Sequence, residues 1–201
     1  MKKVTESERK IIDAAKKIFE RYGYTGARMQ MIADEAQISK ASLHYYFRSK
    51  EKLFDHIFHE TMEEFMPLIS TWEDNEDDWQ FKLRTFILNF FQFLQKKSML
   101  FILREINRDP SLMTDRKDKV TKKKNRFIAY FDRLMLEGKI KEIDVRLIYI
   151  FMHSLCAFPI LNSTLFKMNT QMNDEEYASF LEKYPHLVAD FIIQTIHLKN
   201  N

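Results

Sequence analysis

The side chains between Ser39 and Lys50 are of the kinds that contact phosphates and base edges of nucleic acids. Hydroxyl and ammonium groups donate hydrogen bonds to phosphate oxygens, and polar side chains on one face of a helix can reach base edges in a major groove. An ordinary solvated helix face has the same composition, so the segment by itself leaves both interpretations open. The residues of this segment that we consider as DNA contacts on these grounds are Ser39, Lys40, Ser42, Tyr45, Tyr46 and Lys50.

Two other groups of polar side chains could bind a metal or a second nucleic acid, but the sequence supports these sites less well. His56 and His59 have a spacing that can place two metal ligands on one side of a helix, but no second group of ligands completes a site. Residues 116–126 contain seven basic side chains, which we interpret as the solvated start of a helix rather than a second nucleic-acid or lipid patch. The sequence shows no nucleophile and base pair, phosphate loop or metal signature, so we expect neither an enzyme nor a cofactor.

The composition favours helices throughout the chain. Among 201 residues there are only three Gly and four Pro, too few for the turns of a β-sandwich or barrel, whereas 18 Phe and 11 Met supply a packed core. Cys156 is the one cysteine, which excludes a disulfide framework. No apolar run is long enough for a signal peptide or a membrane span, so we expect a soluble cytoplasmic protein.

The positive charge is concentrated at the N-terminus. Residues 1–50 carry 11 Lys and Arg against 6 Asp and Glu, whereas the other 151 residues carry 21 against 23. A basic module of this kind commonly meets phosphates.

The first fifty residues predict three helices. Thr5 and Glu8 form a capping box that opens the first helix, and Gly23 is expected to stop it. A second helix of about two turns follows, and Ser39 is a suitable N-cap for a third helix with one apolar and one polar face. Two short helices joined by a tight turn describe a helix-turn-helix unit, whose second helix can enter a major groove.

The same segment resembles the N-terminal module of the TetR family of repressors. The resemblance implies an all-α chain, with a three-helix helix-turn-helix DNA-binding domain at residues 1–49 and a larger helical domain for ligand binding and dimerisation at residues 50–201. It is carried by Ile11-Ile12-Asp13-Ala14-Ala15, Phe19, Gly23-Tyr24, Ile32-Ala33, Ala36, residues 39–47 and Ser49-Lys50-Glu51-Lys52-Leu53.

The resemblance also implies roles for single residues. Tyr45, Tyr46 and Lys50 are expected mainly to hold backbone phosphates, and the residues better placed for bases are Arg28, Gln30, Ala41 and His44. This chain departs from the family pattern at four places. Relatives usually have Thr or Ser at the start of the second helix, where this chain has Ala27-Arg28, and Gly where it has Gln37. They usually have Gly in place of Ala41 and Tyr in place of His44. Gln37 must then adopt a left-handed turn without glycine's freedom, and His44 predicts an altered operator preference.

The apolar spacing after residue 50 predicts seven further helices. We expect the first of these to be disrupted at Pro67 and another to be kinked or ended at Pro159. The segment 79–94 is apolar nearly all round, as in a central buried helix. A short helix over residues 173–184 and a separate last helix over residues 185–198 complete the series.

The resemblance implies a ligand cavity among these helices and an interface between two copies. Polar groups embedded in apolar runs, Glu105 among them, could orient a small apolar or aromatic ligand. The candidate ligand residues are Phe65, Phe90, Arg104, Asn107, Tyr130, Met152 and His153. Helices with apolar stripes on two sides should pair across a two-fold axis. The candidate dimer residues are Ile148, Phe151, Leu155, Val188, Phe191, Ile192 and Thr195.

The mechanism predicted from the resemblance is that of a homodimeric repressor. A ligand-free dimer would bind a palindromic operator, and a ligand that binds the other conformation more tightly would release it. The alternative is a non-specific architectural DNA binder, or a partner-dependent regulator without a small-molecule ligand. An architectural binder would show a steep salt dependence with little preference between sequences.

Overall fold

The computed structural model describes residues 5–73, 78–110 and 117–197, apart from the side chains of residues 69, 73 and 117–125. The described residues are mainly helical and contain no β-strand, which confirms the all-α prediction. A 3₁₀ turn at Thr71–Glu73 follows the fourth helix. The α-helices are α1 (Glu6–Gly26), α2 (Met29–Glu35), α3 (Lys40–Tyr46), α4 (Lys50–Ser70), α5 (Trp79–Leu94), α6 (Lys97–Arg108), α7 (Lys117–Leu136), α8 (Val145–Leu161), α9 (Ser163–Thr170) and α10 (Asp174–Ile196).

The chain divides into two compact units. The first unit comprises Met1–Phe65 and Lys97–Thr114, so it contains α1 to α3, most of α4 and also α6. The second unit comprises Met66–Lys96 and Asp115–Asn201. The predicted division at residues 49 and 50 separates functions rather than compact units, and it stays a prediction.

Aromatic side chains form the centre of the first unit. Phe19 of α1 stacks on Phe101 of α6 with ring centres 5.4 Å apart, and Phe54 of α4 meets both rings edge-on. All three side chains are at least 96% buried. Burying a side chain of this size stabilises a fold by roughly 1.5–3 kcal/mol. The packing of α6 against α1 therefore joins a helix distant in sequence to the helix that precedes the helix-turn-helix unit.

Trp72 lies at the centre of an aromatic cluster in the second unit. Its ring centre is 5.0–5.4 Å from four other rings. Helix α5 also packs against α8 and α10. Although α5 was expected to be apolar nearly all round, Phe81 is 65% exposed while Lys82 next to it is buried. The rings around Trp72 are those of Phe86, Phe127, Tyr130 and Phe131.

Most of the predicted local signals are confirmed. Thr5 and Glu8 form a complete capping box, as do Asn173 and Glu176 at the start of α10. Gly23, with φ 68° and ψ 171°, interrupts α1 at the predicted place, although one more turn extends the helix to Gly26. Caps depend on residues only a few positions apart, which is why the sequence reveals them.

The helix ends predicted at proline residues are wrong. Helix α4 continues through Pro67, and α10 is one helix through Pro185 rather than two. Helix α8 continues through Pro159, which cannot donate to the carbonyl of Leu155 four residues earlier. The hydroxyl of Tyr184 donates to that carbonyl instead, at 3.0 Å. Pro159 and Pro185 are both buried, so packing retains helices that local propensity would end.

Candidate nucleic-acid interface

Helices α2 and α3 form the helix-turn-helix unit that the sequence predicted. The turn between them passes through Gln37, whose φ of 56° lies in the left-handed region, as predicted. A residue with a side chain adopts this geometry at a cost of about 1 kcal/mol relative to glycine. Ser39 then caps α3, because its hydroxyl accepts a hydrogen bond from Ser42 N at 3.0 Å.

Helix α3 is anchored in the core by one face and exposed on the other. Leu43 is fully buried, and Phe47 immediately after the helix is 8% exposed. The Tyr45 side chain is 83% exposed, and the half-buried Tyr46 ring packs edge-on against it with centres 5.3 Å apart. The predicted contact residues of α3 that are exposed together are Lys40, Ala41, His44 and Tyr45.

Two predicted base-reading residues lie exposed at the start of α2, and a third near the end of α3. Arg28 is the N-cap residue of α2, but its side chain makes no capping hydrogen bond. Gln30 Nε2 donates to Asp34 Oδ1 at 2.8 Å, so the Gln30 amide would exchange this bond to reach a base with its nitrogen. His44 Nδ1 lies 3.2 Å from the carbonyl oxygen of Arg48.

Lys50 has a role within the protein that sequence reasoning missed. Its Nζ donates to the carbonyl oxygens of Tyr24 and Ala27 at 2.8 and 3.0 Å, and lies 4.6 Å from the centre of the Tyr24 ring. Carbonyls at the end of a helix have no donors of their own, so Lys50 ties the start of α4 to the end of α1. An ammonium has three N–H donors, and a phosphate contact by Lys50 would use the third. That contact, like the others, stays a prediction.

A second link between α1 and α4 is an ion-pair network around Glu60. Its two carboxylate oxygens accept hydrogen bonds from Arg9 Nη1 at 2.5 Å and from Lys16 Nζ at 2.7 Å. Burial opposes ionisation of Glu60, but the hydrogen bonds and charges of Lys16 and Arg9 outweigh it and lower the pKa of the carboxyl. The network fixes α1, which carries the helix-turn-helix unit, along α4.

Glu105 of α6 bonds to the backbone where the chain turns from α1 towards α2. We call this segment, residues 23–28, the α1–α2 corner. The carboxylate is 5% exposed, and its Oε1 accepts a hydrogen bond from Tyr24 N at 3.1 Å. Its Oε2 forms an ion pair with Arg108 Nη2 at 2.9 Å, without hydrogen-bond geometry. The Tyr24 hydroxyl donates to Glu51 Oε1 at 3.0 Å, and burial, together with this bond, raises the pKa of Tyr24 to about 12. Glu105, expected to orient a ligand, is thus engaged within the protein.

The candidate ligand residues are divided between the two units. In the first unit, Arg104 and Asn107 are exposed rather than embedded in the core, because they lie on the outer face of α6, and Phe65 is half-buried. In the second unit, Phe90, Tyr130 and Met152 are buried. The half-buried His153 ring lies between Phe90 and Tyr149, with centres 4.8 and 3.8 Å away, and burial lowers its pKa.

Two features of the second unit were absent from the predicted ligand set. The buried Lys82 places its Nζ 5.2 Å from the centre of the Tyr130 ring, a cation inside an aromatic cluster. A groove of about 430 Å³ between α5 and α10 contains none of the predicted ligand residues. It is lined by Leu88, Phe91, Gln92, Gln95, Ala178, Leu181, Glu182, Pro185 and His186.

Helices α8 and α10 do present apolar side chains to solvent, but not all of the predicted ones. Ile148, Val188 and Ile192 are at least 97% buried within the protein's own core, so they are unavailable to a second copy. Phe191 is 55% exposed, and Phe151, Leu155 and Thr195 are half-buried. The exposed apolar positions on these two helices are Leu147, Tyr149, Ile150, Phe158, Leu161, Leu187 and Phe191, which we call the α8–α10 face.

The described residues hold no group of three His, Cys, Asp or Glu side chains placed to share a metal ion. His56 packs against Phe47 with ring centres 5.6 Å apart, and His59 Nε2 lies 3.3 Å from Glu63 Oε1. No single helix among residues 5–73, 78–110 and 117–197 is long and apolar enough to cross a membrane. Helices α8 and α9 reach that length and composition only as a pair bent by 82°.

Comparison with known proteins gives matches to bacterial regulators. The family described as "Bacterial regulatory proteins, tetR family" matches residues 11–57, which span α1 to the first part of α4. YhgD of Bacillus subtilis (strain 168), an HTH-type transcriptional regulator, is 40% identical over 48 residues, which are 24% of this chain and 25% of YhgD. This chain therefore spans about a quarter of that relative.

Two further similarities extend over the whole chain. The fatty acid metabolism regulator protein of B. subtilis (strain 168) is 25% identical over 206 residues, covering 99% of this chain and 100% of that protein. The crystal structure of B. subtilis FadR in complex with stearoyl-CoA has the same fold. Its TM-score is 0.62 at 20% identity, covering 94% of this chain and 99% of that one. The N-terminal module, residues 11–57, thus matches the tetR family of bacterial regulatory proteins, and the chain shares its overall fold with solved TetR-family regulators.

Proposed function

We propose that this protein is a dimeric repressor that binds a pseudo-palindromic operator and is released from it by a small-molecule ligand. The observation that carries the proposal is α3, a helix anchored by the buried Leu43 whose other face exposes hydroxyl, ammonium, imidazole and phenol groups. Such a helix can insert into a major groove and read base edges. We expect it to act in the cytoplasm, where it meets chromosomal DNA.

The assignment of individual DNA contacts is part of the proposal. Ser39, Ser42, Tyr45, Tyr46, Lys40 and Lys50 would hold phosphates, which position the protein, while Arg28, Gln30, Ala41 and His44 would face bases, which specify the sequence. Support comes from the exposure of Arg28, Gln30 and most of the α3 residues on the described surface.

Dimerisation through the α8–α10 face would supply the two-fold symmetry of the operator. Seven large apolar side chains on these two helices are between 40% and 58% exposed, and this amount of exposed apolar surface favours an interaction site. A palindromic site then requires two recognition helices about 34–36 Å apart, or a multiple of that.

The ligand would be a small molecule with a large apolar or aromatic part. The second unit is rich in buried aromatic rings, and the buried Lys82 supplies a cation that could meet an anionic group. B. subtilis FadR binds stearoyl-CoA in its crystal structure, so long-chain acyl thioesters are the first ligands to test here. Release requires that the ligand bind the non-DNA conformation more tightly than the DNA-bound one.

Binding to the DNA that flanks its own gene tests the proposal. A sequence-selective electrophoretic shift, reversed by a long-chain acyl thioester, is the expected result. The absence of any selective shift at low salt would refute operator recognition. A non-specific architectural binder would instead show a steep loss of affinity with salt and little preference between sequences.

A further inference from the structure

The α1–α2 corner leaves one backbone N–H without an acceptor in its own helix. Gly23, with φ 68° and ψ 171°, leaves the helical region, and the regular hydrogen-bond ladder of α1 breaks there. This region of conformational space is occupied almost only by glycine. The N–H of Tyr24, the next residue, therefore needs an acceptor from elsewhere, because an unpaired polar group of the backbone is costly when removed from water.

The acceptor comes from a distant helix in the form of a buried charge. Glu105 lies 81 residues further along the chain, and its Oε1 accepts from Tyr24 N at 3.1 Å. Only Thr61, Lys82 and Glu105 are buried polar or charged side chains in the described part of the chain. Burying a carboxylate is expensive unless its oxygens are bonded, so its position indicates a specific requirement for an acceptor at this point.

Tyr24 is also the residue through which α4 holds the same corner. Its carbonyl accepts from Lys50 Nζ at 2.8 Å, and its hydroxyl donates to Glu51 Oε1 at 3.0 Å. Its ring packs on Phe54 with centres 5.0 Å apart. Helix α2 begins at Met29, only five residues later. The direction in which the chain enters α2, and then α3, is thus set by one residue bonded to both α4 and α6.

We propose that Glu105 is a positioning residue for DNA recognition, holding the α1–α2 corner through the backbone N–H of Tyr24 so that α3 keeps its orientation for the operator. The role rests on the operator-binding function proposed above. It makes α6, which contributes no residue to the helix-turn-helix unit, part of the recognition machinery. A displacement of α6 must break a charge-assisted hydrogen bond at this corner or move the corner with it.

The test compares four forms of the full chain: wild type, Glu105→Leu, Glu105→Gln and Ile102→Ala. Glutamine keeps an oxygen that can accept from Tyr24 N, whereas leucine removes the acceptor at similar volume. Ile102, fully buried on the same helix, provides a variant that loses stability but keeps the carboxylate. The probes are a duplex selected from a random pool by the wild-type protein and an unrelated duplex of equal length. Amide hydrogen exchange at Tyr24 and urea unfolding are measured in parallel.

For Glu105→Leu we expect affinity for the selected duplex to fall by about tenfold or more, with affinity for the unrelated duplex unchanged and faster exchange at Tyr24. Glu105→Gln and Ile102→Ala should each stay within about threefold of wild type. A folded Glu105→Leu protein that binds the selected duplex as tightly as wild type would overturn the positioning role alone, as would an equal loss in Ile102→Ala. If the wild-type protein selects no sequence, the proposed function fails and the positioning role with it.

Discussion

Replacing Glu60 by glutamine should lower the free energy of unfolding, because it removes the two ion pairs that link α1 to α4. The Lys16–Glu60 pair has side chains only 24% and 23% exposed, and the Arg9–Glu60 pair has an arginine that is 50% exposed. Solvent screening limits exposed pairs to roughly 0.2–1 kcal/mol, so we assign about 1 kcal/mol to the first pair and about half of that to the second. The free energy of unfolding of Glu60→Gln should therefore fall by about 1.5 kcal/mol at pH 7.

The same loss should disappear in acid. Because the pKa of folded Glu60 lies below its ordinary value of 4.5, the folded chain holds the charge at a pH where the unfolded chain already takes up a proton. The stabilisation is complete above the unfolded pKa and is lost as the pH falls through the folded pKa. Wild type and Glu60→Gln should thus differ at pH 7, and the difference should vanish as the pH falls through the folded pKa, which lies below 4.5.

Urea unfolding followed by circular dichroism, at pH 7 and at a pH below the folded pKa of Glu60, measures the difference in free energy of unfolding. Glu35→Gln is the matched control. Glu35 is itself 36% exposed and pairs at 3.0 Å with Lys17, a lysine that is 70% exposed, so its loss should cost less than about 0.5 kcal/mol. Equal losses for the two variants, or a Glu60→Gln difference that persists undiminished in acid, would refute the reasoning.

Three further outcomes follow from the structure. Gly23→Ala should lower the free energy of unfolding by about 1–3 kcal/mol because of the positive φ, while Gly26→Ala should change it little in the same urea titration; equal effects would contradict the strain argument. Tyr45→Ala should weaken binding to a selected duplex without changing the melting temperature, since its side chain is 83% exposed; unchanged affinity would remove Tyr45 from the interface. Phe191→Glu should convert a dimer to monomers in sedimentation velocity, and a dimer that persists would place the interface elsewhere.

The sequence predicted well the features that depend on neighbouring residues. Thr5, Ser39 and Asn173 cap helices through atoms three residues away. The left-handed Gln37 was predicted from the family pattern, which usually has glycine at that place. The exposed face of α3 was also predicted, because the buried Leu43 determines which side of this short helix faces the core.

What the sequence could not show are the long-range partners. Glu60 meets Arg9 and Lys16 from 51 and 44 residues away, and Glu105 meets Tyr24 from 81 residues away. Nothing in the spacing of these residues indicates such pairs. The error at Pro159 has the same origin, because the hydroxyl that satisfies the freed carbonyl belongs to Tyr184 on another helix.

The most direct measurement of operator recognition is selection of bound duplexes from a random pool by the purified protein at about 150 mM salt, with a His44→Tyr variant in parallel. We expect enrichment of one palindrome by the wild-type protein and an altered preference in the variant, since His44 lies exposed on α3. Binding that enriches no sequence and simply fades as salt rises would contradict it and favour the architectural alternative.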